Sequence, residues 1–116
     1  MSSANLAVRL YPEVLRTLAF SAISGTYVGI GTPLSNPSRI LYIVNTTDVL
    51  LTFSFDGINP HFVIPSQSYI LIDITANMAT AGGALNIAQG QRIYVEGSPT
   101  LGSVYLSTFY GAGAIN

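Results

Sequence analysis

A period of two in the apolar residues runs through the chain from Arg39 onward and constrains the fold more than any other feature. In one example, Leu51 and Phe53 alternate with Thr52 and Ser54. Because successive side chains of a β-strand point to opposite faces of a sheet, this alternation predicts half-buried strands. The residues that it predicts to face the core are Leu51, Phe53, Phe55, Ile70, Ile72, Ile74, Ile93 and Val95.

Turn signals separate the alternating segments at regular intervals. Asp56-Gly57 tolerates positive φ and Pro60 cannot donate to a ladder, so this stretch predicts the turn of a hairpin. The predicted turns and connections lie at residues 45–48, 56–60, 65–68, 76–86 and 97–103, the last within a final strand pair, and earlier strands are expected near residues 18–23 and 27–30. About eight short strands result. They predict an all-β chain folded as an antiparallel β-sandwich of jelly-roll type.

The N-terminal part of the chain allows two interpretations. Pro12 can open a helix with an acidic residue in its first turn, and Val14, Leu15 and Leu18 would then share one face. The same residues also fit an extended arm. We therefore expect at most one short N-terminal helix. At 116 residues the chain is expected to form one domain, with residues 1–37 as arm and first strands and residues 38–116 as the sandwich core.

Charge is scarce in this sequence. Charged residues make up 8%, against about 25% in ordinary soluble domains. The chain has four arginines, no lysine and five acids, for a formal net charge of −1. Nucleic acid is therefore not expected as a partner, because phosphate binding needs a basic stripe. Without cysteine there is neither a disulfide nor a thiolate metal site.

Hydrophobic residues reach 49%, which raises the question of a membrane segment. The longest runs without charge, residues 17–38 and 97–116, are broken by Gly and Pro and diluted with Ser and Thr. Neither provides about 20 predominantly apolar residues, so no membrane partner is expected. The start "MSSANLAVRL" lacks the pattern of a secretory signal, and synthesis in the cytoplasm is expected.

The outward positions of the predicted strands carry Thr, Ser and Tyr in place of Lys and Glu. The residues concerned are Thr52, Ser54, Tyr69, Tyr94 and Ser107. Soluble sandwiches usually place charge on this face and on their edges, which discourages pairing between molecules. A surface this neutral favours burial against neighbours in an assembly, although a Ser/Thr-rich face could also stay hydrated.

Candidate reactive groups are few. His61 is the only histidine, which excludes a two-histidine metal site within one chain. A Ser–His–Asp arrangement with Asp56 or Asp73 is formally possible, but no serine lies in a "GxSxG" elbow. His61 follows "NP" and is interpreted as a turn or strand-end residue. The five acids are scattered, and no "DxDxDG" calcium loop is present, so neither a metal nor a cofactor is expected. "NTT" at residues 45–47 fits the N-glycosylation pattern but is interpreted as a turn.

Three segments carry a family resemblance: "SRILYIVNTTDVLLTFSFDG", "FVIPSQSYILIDIT" and "GQRIYVEGSPTLGSVYLSTFYG". In this order they resemble small structural proteins of tailed-bacteriophage virions, in which an Arg-led strand ending in Asn precedes a "SFDG" hairpin. The resemblance covers residues 38–111 and brings no catalytic motif. It implies a virion building block, such as a capsid decoration (cement) protein or a head–tail connector, collar or tail-junction subunit.

These observations together predict a non-enzymatic structural subunit of a virion. It would form a symmetric homo-oligomer and dock on other virion proteins, with apolar and backbone-edge contacts supplying affinity. The residues expected at interfaces are Leu6, Val8, Leu10, Tyr11, Tyr69 and Tyr94. The alternative is a carbohydrate- or ligand-binding β-sandwich module that uses its tyrosines for stacking.

Overall fold

The computed structural model describes residues 8–75 and 87–113, which form two antiparallel sheets enclosing one core. The strands are β1 (Val8–Pro12), β2 (Arg16–Ala19), β3 (Val28–Gly29), β4 (Ser38–Asn45), β5 (Leu51–Ser54), β6 (Phe62–Ile64), β7 (Ser68–Asp73), β8 (Tyr94–Glu96) and β9 (Ser103–Gly113). A short 3-10 turn, Phe20–Ala22, follows β2. The predicted antiparallel β-sandwich is confirmed, with nine described strands in place of about eight.

The chain passes repeatedly between the two sheets. The five-stranded sheet has the order β1–β9–β4–β7, with β2 also paired to β9, and the four-stranded sheet has the order β3–β8–β5–β6. Six of the eight connections between the described strands therefore cross from one sheet to the other. The predicted hairpin at residues 56–60 is confirmed, since β5 and β6 pair directly. The predicted final strand pair is wrong: β8 and β9 belong to different sheets. The long connection between them crosses to the other sheet and does not close a tight hairpin. The predicted connection at residues 76–86 lies outside the described residues.

One hydrophobic core lies between the sheets and receives residues from both. The predicted core residues found buried are Leu51, Phe53, Ile93 and Val95. Phe55, Ile70 and Ile72 are half-buried and pack against this core. The remaining member, Ile74, is also half-buried. The period of two thus identified the inward side of these strands, and the largest fully buried side chain is Phe53.

Of the two interpretations of the N-terminal segment, the extended one describes the structure, since residues 8–12 and 16–19 form strands and residues 8–19 contain no α-helix. β1 and β2 both pair with β9 and form one interrupted edge strand, since Pro12 lies opposite Phe109 and Arg16 opposite Leu106. Three residues separate Pro12 from Arg16, whereas two separate Leu106 from Phe109, so the edge contains a β-bulge of one extra residue. Val14, which a helix would have buried, is 87% exposed at this bulge. β9 supplies backbone partners along the whole edge, and this outweighs the local helix signal.

Asn45 ends β4 inside the protein, where the chain crosses toward β5. Its side chain is fully buried, and its Nδ2 donates to the carbonyl oxygens of Val49 (3.0 Å), Ile64 (2.9 Å) and Pro65 (3.1 Å). Its Oδ1 accepts the backbone N–H of Thr47 at 2.9 Å and the Thr47 hydroxyl at 2.6 Å. The predicted turn at residues 45–48 is built around this amide. The same burial withdraws the "NTT" asparagine from any modifying enzyme in the folded protein.

The last crossing between sheets requires glycine at position 102. Gly102 has φ +89°, and a Cβ at this position would collide with the carbonyl group of Thr46 and the Cα of Thr47. We expect Gly102→Ala to lower the free energy of unfolding by about 2–4 kcal/mol, through backbone strain and the displaced turn. Denaturant titration measures this loss. Gly25→Ala is the matched control, since a Cβ there would meet nothing within 4 Å and the backbone is not left-handed. Equal losses in the two variants would show that the steric clash and backbone angle at position 102 are not the cause.

Candidate assembly surface on the five-stranded sheet

The side of the five-stranded sheet that faces away from the core carries mostly large apolar residues. On β4, Leu41 and Ile43 are fully buried, so Tyr42 and Val44 point to the opposite side. The same alternation holds on β7 and β9. We call the resulting surface the outer face; its large apolar residues are Ile40, Tyr42, Val44, Tyr69, Leu71, Tyr105 and Phe109.

Strand register brings these residues into three rows across the sheet. The rows are Tyr69, Val44 and Tyr105; then Leu71, Tyr42 and Ser107; then Asp73, Ile40 and Phe109. The rings of Tyr42 and Tyr69 lie 5.4 Å apart, centroid to centroid. Tyr69 is 63% exposed and Leu71 is 52% exposed, so this apolar surface is accessible to a partner. Clusters of this kind on a single chain are typical of interaction sites.

The one charged residue in these three rows lies at their corner and is held locally. Asp73 accepts the Thr75 hydroxyl at 2.6 Å and the Thr75 backbone N–H at 2.9 Å. The Thr75 hydroxyl and backbone N–H lower the pKa of the Asp73 carboxyl, and Arg39 contributes further. The carboxylate therefore remains ionised through neutral pH but leaves the centre of the face uncharged.

The outward side of the four-stranded sheet is different. The turn after β5 folds back over it, so that a Cβ on Gly57 would lie 3.3 Å from the Tyr94 ring. The guanidinium of Arg92 lies 5.9 Å from the centroid of the same ring. Ser54 lies on this outward side, as predicted, since it pairs with Tyr94, but it is buried under the turn, where its hydroxyl donates to Asp56 at 2.8 Å. This side is therefore smaller, more polar and partly covered by its own chain.

The six predicted interface residues are dispersed. Tyr69 lies on the outer face, while Tyr94 is half-buried on the other sheet. Leu10 and Tyr11 are 45% and 40% exposed on β1, where Tyr11 stacks on Tyr110 at 5.6 Å. Val8 begins β1, and Leu6 lies outside the described residues. Residues 8–12 pair with β9 of the same chain, so this part of the predicted arm is held in place by its own sheet.

His61 and Asp56 approach each other, which the sequence left formally possible. His61 Nε2 lies 4.0 Å from Asp56 Oδ2, and both side chains are partly exposed. His61 Nδ1 accepts the backbone N–H of Phe55 at 2.9 Å, while the Ser54 hydroxyl donates to Asp56 and not to the imidazole. A triad requires the histidine between serine and aspartate, and here the aspartate is in the middle. These bonds hold the turn together.

The carboxylate of Asp56 accepts several hydrogen bonds within this turn. It accepts the backbone N–H groups of Asn59 and Ile58, each at 2.8 Å, and the Asn59 amide at 3.0 Å. Led by the Asn59 N–H, these donors hold the pKa of Asp56 far below its usual range. Asp48 is similarly bound to Thr100 across the last crossing, through the Thr100 N–H at 2.8 Å. These aspartates thus serve as turn caps.

The structure also contains a buried ion pair that the sequence did not indicate. Arg16 is 7% exposed, and one of its terminal nitrogens lies 2.8 Å from Glu13 Oε1. In an unbroken strand, positions 13 and 16 would point to opposite faces, and the extra residue of the bulge brings them together. Burial raises the pKa of Glu13, and hydrogen bonds from Asn36, Arg16 and Ser35 lower it by more, leaving it below its usual value. The sequence feature that could have predicted this pair is the presence of two charged residues, three positions apart, in an otherwise apolar stretch.

A cleft of about 380 Å³ opens beside this pair. Its wall includes the exposed Leu15 together with Thr17 and Thr32. The charged groups at its floor are already engaged, since Arg16 also donates to the carbonyl oxygens of Thr32 (2.7 Å) and Pro33 (3.0 Å). The cleft is therefore a consequence of the bulge and offers a ligand little free bonding capacity.

Comparison of the chain with protein-family models, curated proteins and solved structures found no match. Within residues 8–75 and 87–113, no three His, Cys, Asp or Glu side chains come together as a metal site. The described part of the chain also contains no helix of the length and apolarity needed to cross a membrane. The outer face is thus the feature from which a function can best be argued.

Proposed function

We propose that this chain is a non-enzymatic structural subunit whose outer face is buried against neighbouring subunits in a symmetric assembly. The observation that carries the proposal is the outer face itself, which has seven large apolar residues and one charged residue in its three rows. A monomeric protein would expose this surface to water at a cost in solubility. Its neutrality allows copies with the same net charge to approach without repulsion.

The size of the outer face indicates how such an assembly would hold together. Three strand positions about 4.8 Å apart and three rows about 6.8 Å apart give a projected area of roughly 300 Å². A standard interface buries about 800 Å² on each partner. One contact of this size is weak, so repetition around a ring or lattice would supply the stability through avidity.

A tailed-phage virion is the setting that we propose for this assembly. The resemblance of residues 38–111 to small virion structural proteins supports it. The hydrogen bonds of Asp48, Asp56 and Asp73 in turns support the non-enzymatic part of the proposal, since such carboxylates serve the fold and not a reaction. A capsid decoration or head–tail component would meet copies of itself and other virion proteins, after synthesis in the host cytoplasm.

Tyr105→Lys tests the role of the outer face. Tyr105 lies on the central strand β9 and is 37% exposed, so a lysine stem can follow the sheet while its charge opposes burial. We expect the wild type to exceed monomer mass at high concentration in light scattering. The variant should need at least tenfold more protein to associate. Val63→Lys on β6 is the control, because Val63 is 51% exposed on the other sheet and should leave association unchanged.

Two results would contradict this function. A wild-type chain that stays monomeric up to high concentration has no self-assembly to explain. Equal weakening by Tyr105→Lys and Val63→Lys would indicate nonspecific association through any exposed apolar residue. Circular dichroism of both variants checks that the sandwich remains folded.

Carbohydrate binding is the second candidate, favoured by the tyrosines of the outer face. Tyr42, Tyr69 and Tyr105 share this surface, and Tyr69 is the most accessible of them. Sugar rings stack on such side chains, but recognition also needs polar groups for the hydroxyls. A glycan-array signal that Tyr69→Ala removes would support this candidate over assembly.

A further inference from the structure

The edges of the two sheets differ in their protection against pairing with another chain. The edge formed by β1 and β2 is broken by the bulge and contains Pro12. In the four-stranded sheet, the edge strands β3 and β6 have two and three residues. Short strands, proline and bulges all discourage pairing at an edge. Strand β7 has six residues, Ser68–Asp73, without proline, lysine or bulge.

Strand register shows which backbone groups of β7 lie at this edge. The N–H of Ile74 donates to the carbonyl oxygen of Arg39 at 2.9 Å. In an antiparallel ladder every second residue bonds the same neighbour, so Ile72 and Ile70 also bond β4. The alternate residues, Tyr69, Leu71 and Asp73, therefore direct their N–H and C=O groups away from β4. No described strand pairs with that side of β7.

We propose that β7 pairs with β7 of a second copy, antiparallel about a two-fold axis at Leu71. The two five-stranded sheets would then form one continuous sheet of ten strands. Three edge-directed residues on each copy supply about six backbone hydrogen bonds across the axis. A two-fold axis makes the contact self-complementary, as in most homodimers.

Side chains and backbone angles favour this register over those centred on the other two edge-directed residues. A register centred on Asp73 would place two carboxylates opposite each other, which is unfavourable. One centred on Tyr69 would require Gln67 to pair as strand, but Gln67 has φ +58° in the preceding turn. Centred on Leu71, the register places Tyr69 opposite Asp73 of the partner subunit and uses all three edge residues.

This pairing would deepen the proposed function, on which it rests. A two-fold axis perpendicular to the sheet leaves both outer faces on the same side. The joined surface would project roughly 600 Å², closer to the area of about 800 Å² that one partner contributes to a standard interface. A dimer would then be the unit that assembles further.

Two variants with opposite charges at position 69 test the register. Tyr69→Lys and Tyr69→Glu remove the same ring from the outer face, so they weaken contacts through that face alike. In the proposed dimer only the first places a charge opposite to that of Asp73 of the partner subunit. We expect at least a tenfold tighter dimer for Tyr69→Lys than for Tyr69→Glu at low ionic strength. Sedimentation in a Tyr105→Lys background, which weakens the face contact, measures this ratio.

A single introduced cysteine tests the position of the axis, because the chain has none of its own. Directly paired residues have Cα atoms about 5.5 Å apart, within the span of a disulfide. Leu71→Cys should therefore form a disulfide-linked dimer under mild oxidation. Val63→Cys is the control, since the two positions are 52% and 51% exposed on edge strands of different sheets.

The outcomes separate this inference from the proposed function. Equal dimerisation of Tyr69→Lys and Tyr69→Glu, or no more crosslinking of Leu71→Cys than of Val63→Cys, would overturn the pairing of β7. If the wild type still associates and Tyr105→Lys still weakens it, the proposed function stands without this contact. A wild type that stays monomeric and a Leu71→Cys variant that fails to crosslink would overturn both.

Discussion

Asn45→Asp is expected to lower the free energy of unfolding by about 3–5 kcal/mol at neutral pH, the cost of an uncompensated buried charge. The substitution keeps the shape of the side chain and leaves no cavity. It replaces an amide that donates to the carbonyl oxygens of Val49, Ile64 and Pro65 with a carboxylate facing the same oxygens. Because position 45 is fully buried, water cannot screen the repulsion.

The loss of stability caused by Asn45→Asp should become smaller as the pH falls. The new carboxyl would have its pKa raised in the folded state by burial and by the carbonyl oxygens. Its folded state then holds a proton more tightly than its unfolded state. The difference in free energy of unfolding from wild type is therefore largest at neutral pH, and it shrinks as the pH falls through that raised pKa. Urea unfolding at several pH values measures it.

Gln67→Glu is the matched control for Asn45→Asp. The Gln67 amide also donates to carbonyl oxygens, those of Thr46 at 2.9 Å and Thr47 at 3.2 Å, but it is only half-buried. Solvent should limit its cost to about 1 kcal/mol. Comparable losses in the two variants would mean that burial of Asn45 is not the cause.

Arg16→Met is expected to cost about 3–5 kcal/mol, because it leaves the Glu13 carboxylate buried without its partner. The side chain of Glu13 is 8% exposed and that of Arg16 is 6%. Arg16 also donates to Thr108 Oγ1 at 3.1 Å, linking the bulge to β9. Thermal or denaturant unfolding of the variant measures the loss.

The double variant Glu13→Leu/Arg16→Met separates the ion pair from packing. With both charges gone, it should recover at least half of the loss, since apolar residues can replace a buried pair. A double variant less stable than Arg16→Met would contradict this account.

Glu13→Gln addresses the same pair through pH. The lowered pKa of Glu13 contributes stability that is present above its unfolded value of 4.5 and is lost as the pH falls through the folded value. Wild type should therefore lose more stability than Glu13→Gln when the pH is taken below 4.5.

The fold was predictable from the sequence to the extent that local pattern decides it. The period of two located the buried Phe53 and Val95, and the Asp56-Gly57 turn located the hairpin. The sequence left a helix or an extended segment open after Pro12, and the extended one is found because backbone pairing along β9 outweighs a short helix signal. The final strand pair failed because period and turn length do not specify which sheet a strand joins.

The neutral character of the candidate surface was predictable from the sequence, but the set of residues that form it was not. Low charge and outward Ser, Thr and Tyr indicated a neutral surface, and Tyr69 was correctly placed among exposed residues. The gathering of Tyr42, Leu71 and Tyr105 beside it depends on pairing between strands that are far apart in sequence. Tyr94 has the same local pattern as Tyr69 and is partly covered by a turn.

The sequence by itself determined the β class, the inward side of the strands and the scarcity of charge, because alternation and composition act within a few residues of each position. The tertiary structure alone decided the rest. It enclosed Asn45 among three carbonyl groups, brought Glu13 to Arg16 through a bulge, and left β7 as the longest edge strand among the described residues. Each of these depends on the order in which distant strands pair, and hydrogen bonds between backbones carry no sequence signal of their own.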